Sequence, residues 1–382
     1  MTEFGSITGN QALKEAIVQR IDAEGGIPFS AFMEMALYHP KMGYYCSSGP
    51  KIGRDGDYLT SPEVSPIFGA IVGRQLREMW EAMGRPSSFD IVEAGAGNGT
   101  LCRDVLCWAG AVGSELFEAT RYTIVEPIPV LEARQRRAIG MESVDAKVCW
   151  RAEMPDAVEG CIVSNELVDS MSVHRVAMRG GALREVFVGW DGHAFLEELR
   201  ETSTPEIDRY FDRLGFTPGD GCRTEVNLEA LCWMRRAGRA LGRGFVLSFD
   251  YGYEAPELYA PWRKDGTLLC FYRHNPSNDP YARIGRQDMT SHVDFTSLRQ
   301  AGEEVGLKTL GFVSQSVFLA NLGILEALPP SDGEIALEER LARRRAVTEL
   351  IDPAGLGRIK VLAQAKGVEN ARLRGFGDSG DA

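Results

Sequence analysis

The 382-residue sequence has no excess of basic residues: it contains 42 Lys and Arg against 54 Asp and Glu, and its formal net charge is −12 at pH 7. A protein that follows nucleic-acid phosphates needs such an excess, so this class of function is excluded. The sequence also lacks an apolar run of the roughly 20 residues needed to cross a bilayer. It therefore predicts neither a nucleic-acid partner nor a membrane partner.

Residues that build metal sites and disulfide frameworks are also scarce or badly spaced. The sequence has five histidines, none in a His-Glu-x-x-His pattern, and eight scattered cysteines without a Cys-x-x-Cys pair. We therefore predict no metal site and reduced thiols. The first ten residues lack the charged and apolar regions of a signal peptide and the Arg-rich pattern of a transit peptide. A cytoplasmic location is the resulting expectation.

The most informative stretch that the sequence does contain is a glycine turn after an apolar run. Residues 89–94 predict a β-strand, and Gly95, Gly97 and Gly99 then interrupt the chain before the amphipathic segment 101–106. Glycines permit positive φ angles and a close approach of ligand to backbone, and a helix N-terminus presents free amide groups. These three glycines are therefore predicted to bind a nucleotide-type cofactor.

Two acidic residues favour one cofactor over another. Glu126 ends a second strand pattern, where its carboxylate is placed to accept hydrogen bonds from two ribose hydroxyls. The turn lacks the Gly-x-Gly-x-x-Gly spacing that seats the pyrophosphate of a dinucleotide. Glu93, two residues before the first glycine, is predicted at the mouth of the site, where it repels pyrophosphate but suits an ammonium or sulfonium group. S-adenosylmethionine is therefore favoured over a dinucleotide.

The acceptor of the methyl group is expected at the end of the fourth strand, because ligands of open α/β sheets bind at the carboxyl ends of strands. Asn165, Glu166 and Asp169 follow that strand. Two carboxylates and an amide suit a guanidinium, whose five N–H donors pair with carboxylates. These residues are predicted to orient a guanidino nitrogen for methylation. The other interpretation is that they are polar caps of the following turn.

The strand patterns alternate with helical patterns, which predicts an α/β fold with an open, largely parallel sheet. From 173 to 199 the period changes to two, with Gly180 and Gly181 as a turn, so antiparallel strands are inserted here; the segment is also a candidate interface of a homodimer. The predicted organisation is a helical region with a loop over the site (1–80), a core (81–370) with insertions at about 173–224 and 254–295, and a disordered tail (371–382).

Several long motifs together resemble the MidA family of class I methyltransferases, related to mitochondrial complex I assembly factor seven. The motifs are 27–40 with Gly43-Tyr44-Tyr45, Gly56-Asp-Tyr-Leu-Thr-Ser-Pro-Glu63, Asn165-Glu166-x-x-Asp169, Phe249-Asp-Tyr-Gly252 and Asp288-Met-Thr-Ser-His-Val-Asp-Phe295. The resemblance spans about residues 27–366. It implies a Rossmann-like class I methyltransferase sheet, S-adenosylmethionine at the glycine turn, and protein arginine methylation by the mitochondrial member.

The resemblance also bears on residues that the patterns alone leave open. Residues 60–63 alone favour a surface connection, whereas the resemblance implies a lid in which Thr60, Ser61 and Pro62 close over the cofactor. His292 matches a motif position and is a candidate substrate contact or a structural residue. The family turn usually reads Gly-Pro-Gly-Arg-Gly and the acceptor motif Asn-Glu-Phe-Phe-Asp-Ala-Leu-Pro, and this sequence departs from both.

Because the lining around the carboxylates differs from the family pattern, the identity of the acceptor stays open at this point. The predicted enzyme is an S-adenosylmethionine-dependent N-methyltransferase. Its acceptor is either an arginine of a partner protein, such as a respiratory complex I subunit, or free L-arginine or a similar metabolite. The alternative is an assembly chaperone for a respiratory complex subunit that retains the cofactor, which an exposed apolar patch beside the pocket would favour.

Overall fold

The structure, a computed structural model, describes residues 9–49, 51–113, 115–140, 144, 146–328 and 336–377. The first eight residues, which contributed to the expectation about targeting peptides, lie outside this description. The chain divides into two compact units. Unit 1 takes its residues from Met1–Tyr58, Val168–Cys232 and Tyr253–Ser297, and unit 2 from Leu59–Leu167, Trp233–Gly252 and Leu298–Ala382.

The α-helices are numbered here in chain order. They are α1 (Gln11–Glu24), α2 (Phe29–Tyr38), α3 (Ser61–Val64), α4 (Pro66–Ala82), α5 (Thr100–Ala111), α6 (Glu115–Ala119), α7 (Pro129–Ile139), α8 (Pro205–Leu214), α9 (Leu228–Ala240), α10 (Ala255–Leu258), α11 (Phe295–Glu303), α12 (Gln315–Asn321) and α13 (Leu337–Ile351). Short 3-10 helices occur at Ile324–Ala327, Leu356–Arg358 and Arg374–Phe376. In the part of the chain that the structure describes, no helix combines the length and the apolar character that crossing a membrane requires.

The β-strands are numbered in the same way. They are β1 (Ile27–Pro28), β2 (Phe89–Ala94), β3 (Thr120–Val125), β4 (Val148–Arg151), β5 (Val158–Asn165), β6 (His174–Arg179), β7 (Ala182–Trp190), β8 (Phe195–Arg200), β9 (Arg223–Val226), β10 (Leu241–Asp250), β11 (Gly252–Tyr253), β12 (Leu269–Tyr272), β13 (Asn275–Ser277), β14 (Asp288–Thr290), β15 (Val293–Asp294), β16 (Lys308–Ser314) and β17 (Lys360–Lys366).

Unit 2 contains a seven-stranded sheet with the order β16-β17-β10-β5-β2-β3-β4. The neighbours from β10 to β4 pair in parallel, and β17 pairs antiparallel with both β10 and β16. Central parallel strands are buried on both faces, so they read as continuous apolar runs. Cys161, Ile162 and Val163 of β5 are accordingly at most 1% exposed. The predicted α/β fold with a largely parallel sheet is confirmed.

Unit 1 contains an antiparallel sheet of β1, β7, β6 and β9, and β8 pairs with β7. Gly180 and Gly181, with φ angles of 58° and 76°, connect β6 to β7, as the Gly-Gly turn predicted. Two positive φ angles are what a two-residue hairpin turn of this type requires. The inserted antiparallel strands are therefore confirmed. Their role in a homodimer stays a prediction.

Helix α4 belongs to unit 2, although the predicted N-terminal region extended to residue 80. The reason is close packing between α4 and α5, which two glycines of α4 permit. A Cβ atom added at Gly69 would lie 2.5 Å from Cβ of Asp104, and one at Gly73 would collide with the ring of Trp108. The N-terminal part of unit 1 consequently ends near Tyr58, just before the predicted lid segment.

The predicted disordered tail is wrong for residues 371–377. Arg374–Phe376 form a 3-10 helix, and Leu373 and Phe376 are 3% and 9% exposed. The ring of Phe376 lies 5.5 Å from the ring of Phe318 on α12. Apolar packing and hydrogen bonds from the Arg374 and Gly375 amides to the side chains of Glu78 and Gln75 hold this segment on unit 2. Residues 378–382 of the predicted tail lie outside the described residues.

Candidate cofactor and acceptor site

The glycine turn follows β2 and leads directly into α5, as predicted. Gly95, Gly97 and Gly99 have φ angles of 69°, 53° and 82°, a region that other residues rarely adopt. A Cβ atom at Gly95 would lie 2.7 Å from Cδ1 of Leu167. Gly99 caps α5 without a side-chain hydrogen bond, and the amides of a first helical turn have no partner within the helix. The turn is therefore a backbone surface suited to a polar ligand.

Glu93 lies inside the core of unit 2, not at the mouth of the site as predicted. Its side chain is on the same face of the sheet as Tyr122 of β3, whose hydroxyl donates a 2.8 Å hydrogen bond to Glu93 Oε2. The residue is 2% exposed. Burial raises the pKa of the Glu93 carboxyl to about 7, and the bond from Tyr122 opposes that rise. Glu93 is thus a buried, titratable carboxyl two residues before the turn.

Glu126 follows β3, and both of its carboxylate oxygens are held. The backbone amide of Ile128 donates to Oε1 at 3.0 Å, and Nε2 of Gln135 donates to Oε2 at 2.9 Å. Burial raises the pKa of Glu126, which is 5% exposed, and both hydrogen bonds oppose the rise. Each carboxylate oxygen has a second lone pair, so Glu126 retains the capacity to accept ribose hydroxyls.

The predicted lid, residues 60–63, is packed and not a loose surface connection. Thr60 is 7% exposed, and Ser61 and Pro62, the first residues of α3, are also buried. The Ser61 hydroxyl donates to Oε1 of Gln315 at 2.9 Å, and the Ser61 amide donates to Oε1 of Glu166 at 3.4 Å. This segment is thereby fixed against both α12 and the acceptor motif.

Glu63, the last residue of the same segment, fixes it to the glycine turn. Its Oε1 accepts a 2.6 Å hydrogen bond from the Thr100 hydroxyl and a 3.2 Å bond from Nδ2 of Asn98. Thr100 is the first residue of α5, where a negative charge is stabilised by the helix dipole. The segment therefore contacts the glycine turn at one end and the acceptor motif at the other.

Asn165 and Glu166 stand at the carboxyl end of β5. Nδ2 of Asn165 donates to Oε1 of Glu166 at 3.1 Å, whereas Oδ1 of Asn165 is buried and has no hydrogen-bond partner among the described residues. Glu166 has a positive φ angle of 49°, which costs free energy in a residue other than glycine. Its amide is bonded to the Phe249 carbonyl of β10 at 2.9 Å, which holds this conformation. A buried oxygen without a hydrogen-bond donor, such as Asn165 Oδ1, and a strained backbone, such as that of Glu166, are features of ligand-binding sites.

Asp169 and His292, the other predicted acceptor residues, belong to unit 1. Asp169 is 8% exposed, and its carbonyl oxygen accepts a hydrogen bond from the Ser291 amide at 2.9 Å. The His292 amide donates to the Thr267 hydroxyl at 2.9 Å, and its ring lies 5.3 Å from the ring of Tyr253. These two contacts do not require a substrate. The roles of Asp169 and His292 stay predictions.

Other family motifs lie in unit 1 and connect its chain segments. The Tyr44 hydroxyl donates to Oδ2 of Asp57 at 2.7 Å, and the Tyr45 hydroxyl donates to Oδ1 of Asp288 at 2.8 Å. Burial raises the pKa of Asp288 to about 6. The bond from Tyr45 joins residues more than 240 positions apart in the sequence. These motif residues therefore stabilise unit 1.

Sequence reasoning missed three side chains that complete the arrangement in unit 2: Gln135, Tyr122 and Gln315. Gln135 and Gln315 are 0% exposed, and Tyr122 is 1% exposed. One signal was available for Gln135, because it falls between Leu131 and Ile139 on the buried face of α7. A glutamine within an apolar stripe needs hydrogen-bond partners. Nothing comparable in the sequence singles out Tyr122 or Gln315.

Comparison with known proteins extends these observations. Residues 71–313 match a family described as S-adenosyl-L-methionine-dependent methyltransferases. The chain is similar to the mitochondrial protein arginine methyltransferase NDUFAF7 homolog of Drosophila melanogaster, with 30% identity over 96% of this chain and 87% of the relative. It is 28% identical to the NDUFAF7 protein of Rattus norvegicus, over 89% of this chain and 81% of the relative.

A solved structure is similar over nearly the whole chain. It is a crystal structure of a protein from Burkholderia thailandensis bound to S-adenosyl-homocysteine. The TM-score is 0.88 at 34% identity, and the match covers 96% of this chain and 95% of that one. The comparisons contradict one prediction. The expected cytoplasmic location is wrong, because the curated relatives are named as mitochondrial proteins, and the composition of ten N-terminal residues was an insufficient basis for it.

Proposed function

This chain belongs to the family of S-adenosyl-L-methionine-dependent methyltransferases, and from that premise we propose that it methylates the guanidino group of a protein arginine. The observation that carries the proposal is the buried Oδ1 of Asn165, which has no hydrogen-bond partner within the described residues and stands beside Glu166. A buried acceptor without a partner costs about 1–3 kcal/mol. A substrate with several N–H donors removes that cost.

The residues of unit 2 fit the cofactor. We assign the glycine turn (Gly95, Gly97 and Gly99) to its amino-acid part and Glu126 to its ribose hydroxyls, while Thr60, Ser61 and Pro62 cover it. The positive φ angles and the absence of Cβ atoms in the turn support the first assignment. The buried carboxylate at the end of β3 supports the second. Glu93, when ionised above its pKa of about 7, adds a negative charge near the turn, which suits a cationic ligand.

The acceptor end of the site offers oxygen acceptors to the substrate. Oε1 of Glu166 already accepts from Asn165 Nδ2 and, at a longer distance, from the Ser61 amide. These bonds restrict the rotation of the carboxylate. Two acceptor groups, the Glu166 carboxylate and Asn165 Oδ1, match the fork of N–H donors of a guanidinium. Asp169, three residues further along the chain, remains the second predicted carboxylate, and His292 remains a candidate substrate contact.

When bound, S-adenosylmethionine supplies an electrophilic methyl group on a sulfonium. Glu166 and Asn165 hold the guanidino group by its N–H donors, so that one terminal nitrogen keeps a fixed direction. The carboxylate also attracts positive charge toward itself, which leaves more electron density on the nitrogen that must attack. The packed lid segment excludes water from the cofactor side. These residues therefore act by positioning and electrostatics.

Protein arginine is preferred to free L-arginine because the relatives are named protein arginine methyltransferases. The names of the relatives do not favour the predicted alternative, an assembly chaperone that retains the cofactor. The strained Glu166 and the open Asn165 oxygen favour an enzyme, because a protein that only binds a folding subunit needs neither.

The proposal is tested by incubating the purified protein with methyl-labelled S-adenosylmethionine and either mitochondrial lysate protein or free L-arginine. We expect label in methylarginine after hydrolysis of the protein fraction. Glu166→Gln should lower methyl transfer at least about 100-fold while S-adenosyl-homocysteine affinity changes less than about threefold. Glu159→Gln, an exposed acid at the other end of β5, is the matched control and should retain full activity.

If the label appears only in free methylarginine, the acceptor is free L-arginine and not a protein arginine. Full methyl transfer by Glu166→Gln would contradict the assignment of the acceptor site. A parallel loss of cofactor binding and transfer in that variant would move Glu166 to the cofactor site.

A further inference from the structure

Gln135 occupies the buried face of α7 and makes three side-chain hydrogen bonds. Its Nε2 donates to Oε2 of Glu126 at 2.9 Å and to the Gly97 carbonyl at 3.2 Å. Its Oε1 accepts from Nε1 of Trp150 at 3.1 Å. The residue is 0% exposed. One amide therefore connects the cofactor-site acid, the glycine turn and strand β4.

The orientation of this amide follows from the chemistry of its partners. An indole N–H can only donate, and a backbone carbonyl can only accept. A flipped amide would place its NH₂ group against the Trp150 N–H and its oxygen against both the Gly97 carbonyl and Glu126. The positions of the Gln135 amide nitrogen and oxygen are therefore fixed by their partners. The side chain cannot rotate to accommodate a misplaced Glu126 without losing these hydrogen bonds.

Packing reinforces this connection. A Cβ atom at Gly99 would lie 3.3 Å from both Cα and Cβ of Gln135, so the backbone of the turn is in close contact with this residue. The guanidinium of the adjacent Arg136 lies over the Trp150 ring, 4.0 Å from its centre. The hydrogen bond from Gln135 also lowers the pKa of Glu126 against the effect of burial, which favours the charged form.

We infer that Gln135 is a positioning residue for the ribose of the cofactor: it fixes the Glu126 carboxylate relative to the glycine turn, and so determines how strongly the enzyme selects ribose hydroxyls. This inference rests on the proposed role of Glu126. Gln135 itself does not contact the ribose. Its effect passes through the position of Glu126 Oε2 and the Gly97 carbonyl.

The test compares S-adenosyl-homocysteine with its 2′-deoxy analogue by calorimetry on the full chain. Gln135→Met removes all three hydrogen bonds at similar volume. We expect its affinity for S-adenosyl-homocysteine to fall about tenfold, because a positioned hydrogen bond to a charged group is lost. We expect the affinity for the 2′-deoxy analogue to fall much less, so that the preference for the intact ribose decreases. Trp150→Phe, which removes a single donor, should change the same ratio in the same direction by about threefold.

Gln364→Met is the matched control. Gln364 is a second fully buried glutamine of unit 2, on β17, and its Nε2 donates to the Arg299 carbonyl at 3.0 Å. Its replacement should lower the melting temperature and leave the ligand ratio unchanged. Thermal unfolding of every variant separates loss of fold from loss of selectivity.

Two outcomes overturn the inference in different ways. If Gln135→Met lowers the affinity for both ligands equally, or lowers only the melting temperature, Gln135 has a purely structural role. If Glu126→Gln keeps the full preference for the intact ribose, the assignment of Glu126 fails, and the inference fails with it. A reduced ratio in both Glu126→Gln and Gln135→Met supports both statements.

Discussion

Asp294 in unit 1 and Asn165 in unit 2 are both buried polar residues, but their hydrogen bonds are completed differently. In unit 1, both oxygens of Asp294 accept hydrogen bonds, from the amides of Thr296 and Ser297 and from the hydroxyls of Ser297, Tyr210 and Tyr259. In unit 2, Oδ1 of Asn165 is buried without a partner in the described part of the chain. The hydrogen bonds of Asp294 are complete within the protein, whereas we propose that the substrate supplies the missing donor to Asn165.

The same difference separates the family motifs. Asp57 in unit 1 accepts from the Tyr44 hydroxyl and the Arg273 amide, and both of these donors belong to the protein. Glu166 in unit 2 combines a strained backbone with an open neighbouring oxygen. These motif residues thus differ in backbone strain and in the completeness of the hydrogen bonds around them, and this difference supports the different roles that we propose for them.

The largest effect is expected for Asp294→Ala. Several buried donors, including two tyrosine hydroxyls, lose their acceptor, so the free energy of unfolding should fall by about 4 kcal/mol. Chemical denaturation measures this loss. The folded fraction of Asp294→Ala should bind S-adenosyl-homocysteine with nearly normal affinity, because the residues assigned to the cofactor lie in unit 2. A stable variant with impaired cofactor binding would break the comparison between the units.

Glu93→Gln should change the pH dependence of stability. The pKa of Glu93 is raised from 4.5 to about 7, so the folded state binds the extra proton between these pH values and stability falls as pH rises through this window. The variant does not ionise. At pH 8 its free energy of unfolding should exceed that of the wild type by about 3 kcal/mol, and below pH 4 the two should converge. Urea denaturation from pH 4 to 8 measures both curves.

Although Glu93→Gln is expected to be more stable, we expect it to bind cationic ligands less tightly, because the substitution removes the negative charge of ionised Glu93. S-adenosylmethionine, with its sulfonium, should lose more affinity for Glu93→Gln than S-adenosyl-homocysteine does. Equal pH profiles of the variant and the wild type would show that the pKa of Glu93 is the same in the folded and unfolded states, contrary to the effect of its burial.

Gly95→Val should distort the backbone of the glycine turn. The valine would need a φ angle near 69° and would meet Leu167 Cδ1 at 2.7 Å. We expect S-adenosyl-homocysteine affinity to fall at least about 30-fold, which corresponds to about 2 kcal/mol. Gly110→Ala on α5 is the control, because its Cβ would make only an ordinary contact with Phe117 at 3.5 Å. Equal affinities in the two variants would contradict the cofactor assignment.

The smallest effect is expected for Glu63→Gln, which weakens the bonds from Thr100 and Asn98 but keeps the shape of the side chain. Release of S-adenosyl-homocysteine should accelerate about fivefold, a change of about 1 kcal/mol. Stopped-flow displacement measures the rate. Glu81→Gln, an exposed acid on α4, should leave it unchanged. An unchanged rate of S-adenosyl-homocysteine release in Glu63→Gln would contradict the proposed role of Glu63 in holding the lid.

Periodicity and glycine chemistry predicted the sheet, the turn and the acid at Glu126, because these features are local in the sequence. The division into units was less accessible, because each unit is assembled from three separate segments. Strand β16 illustrates a second limit. Residues 308–319 have a strand pattern in the sequence, but the Ser314 side chain caps α12, and the strand ends there.

The site itself was only partly predictable for a physical reason. Glu93 was identified as an acid beside the turn, but its direction depends on the strand face, and the partner on that face, Tyr122, comes from another strand. Gln135 contacts Gly97 from 38 positions away in the sequence. Hydrogen bonds between distant segments leave no spacing pattern, so they become visible only in the structure.

The central claim is that the open oxygen of Asn165 receives a donor of the substrate, and binding of an arginine mimic tests it most directly. Nα-acetyl-arginine amide is titrated into the S-adenosyl-homocysteine complexes of the wild type and Asn165→Leu, whose side chain has a similar volume. We predict at least tenfold weaker binding of the mimic to the variant, with the affinity for S-adenosyl-homocysteine unchanged. Equal affinity of both proteins for the mimic would contradict the account.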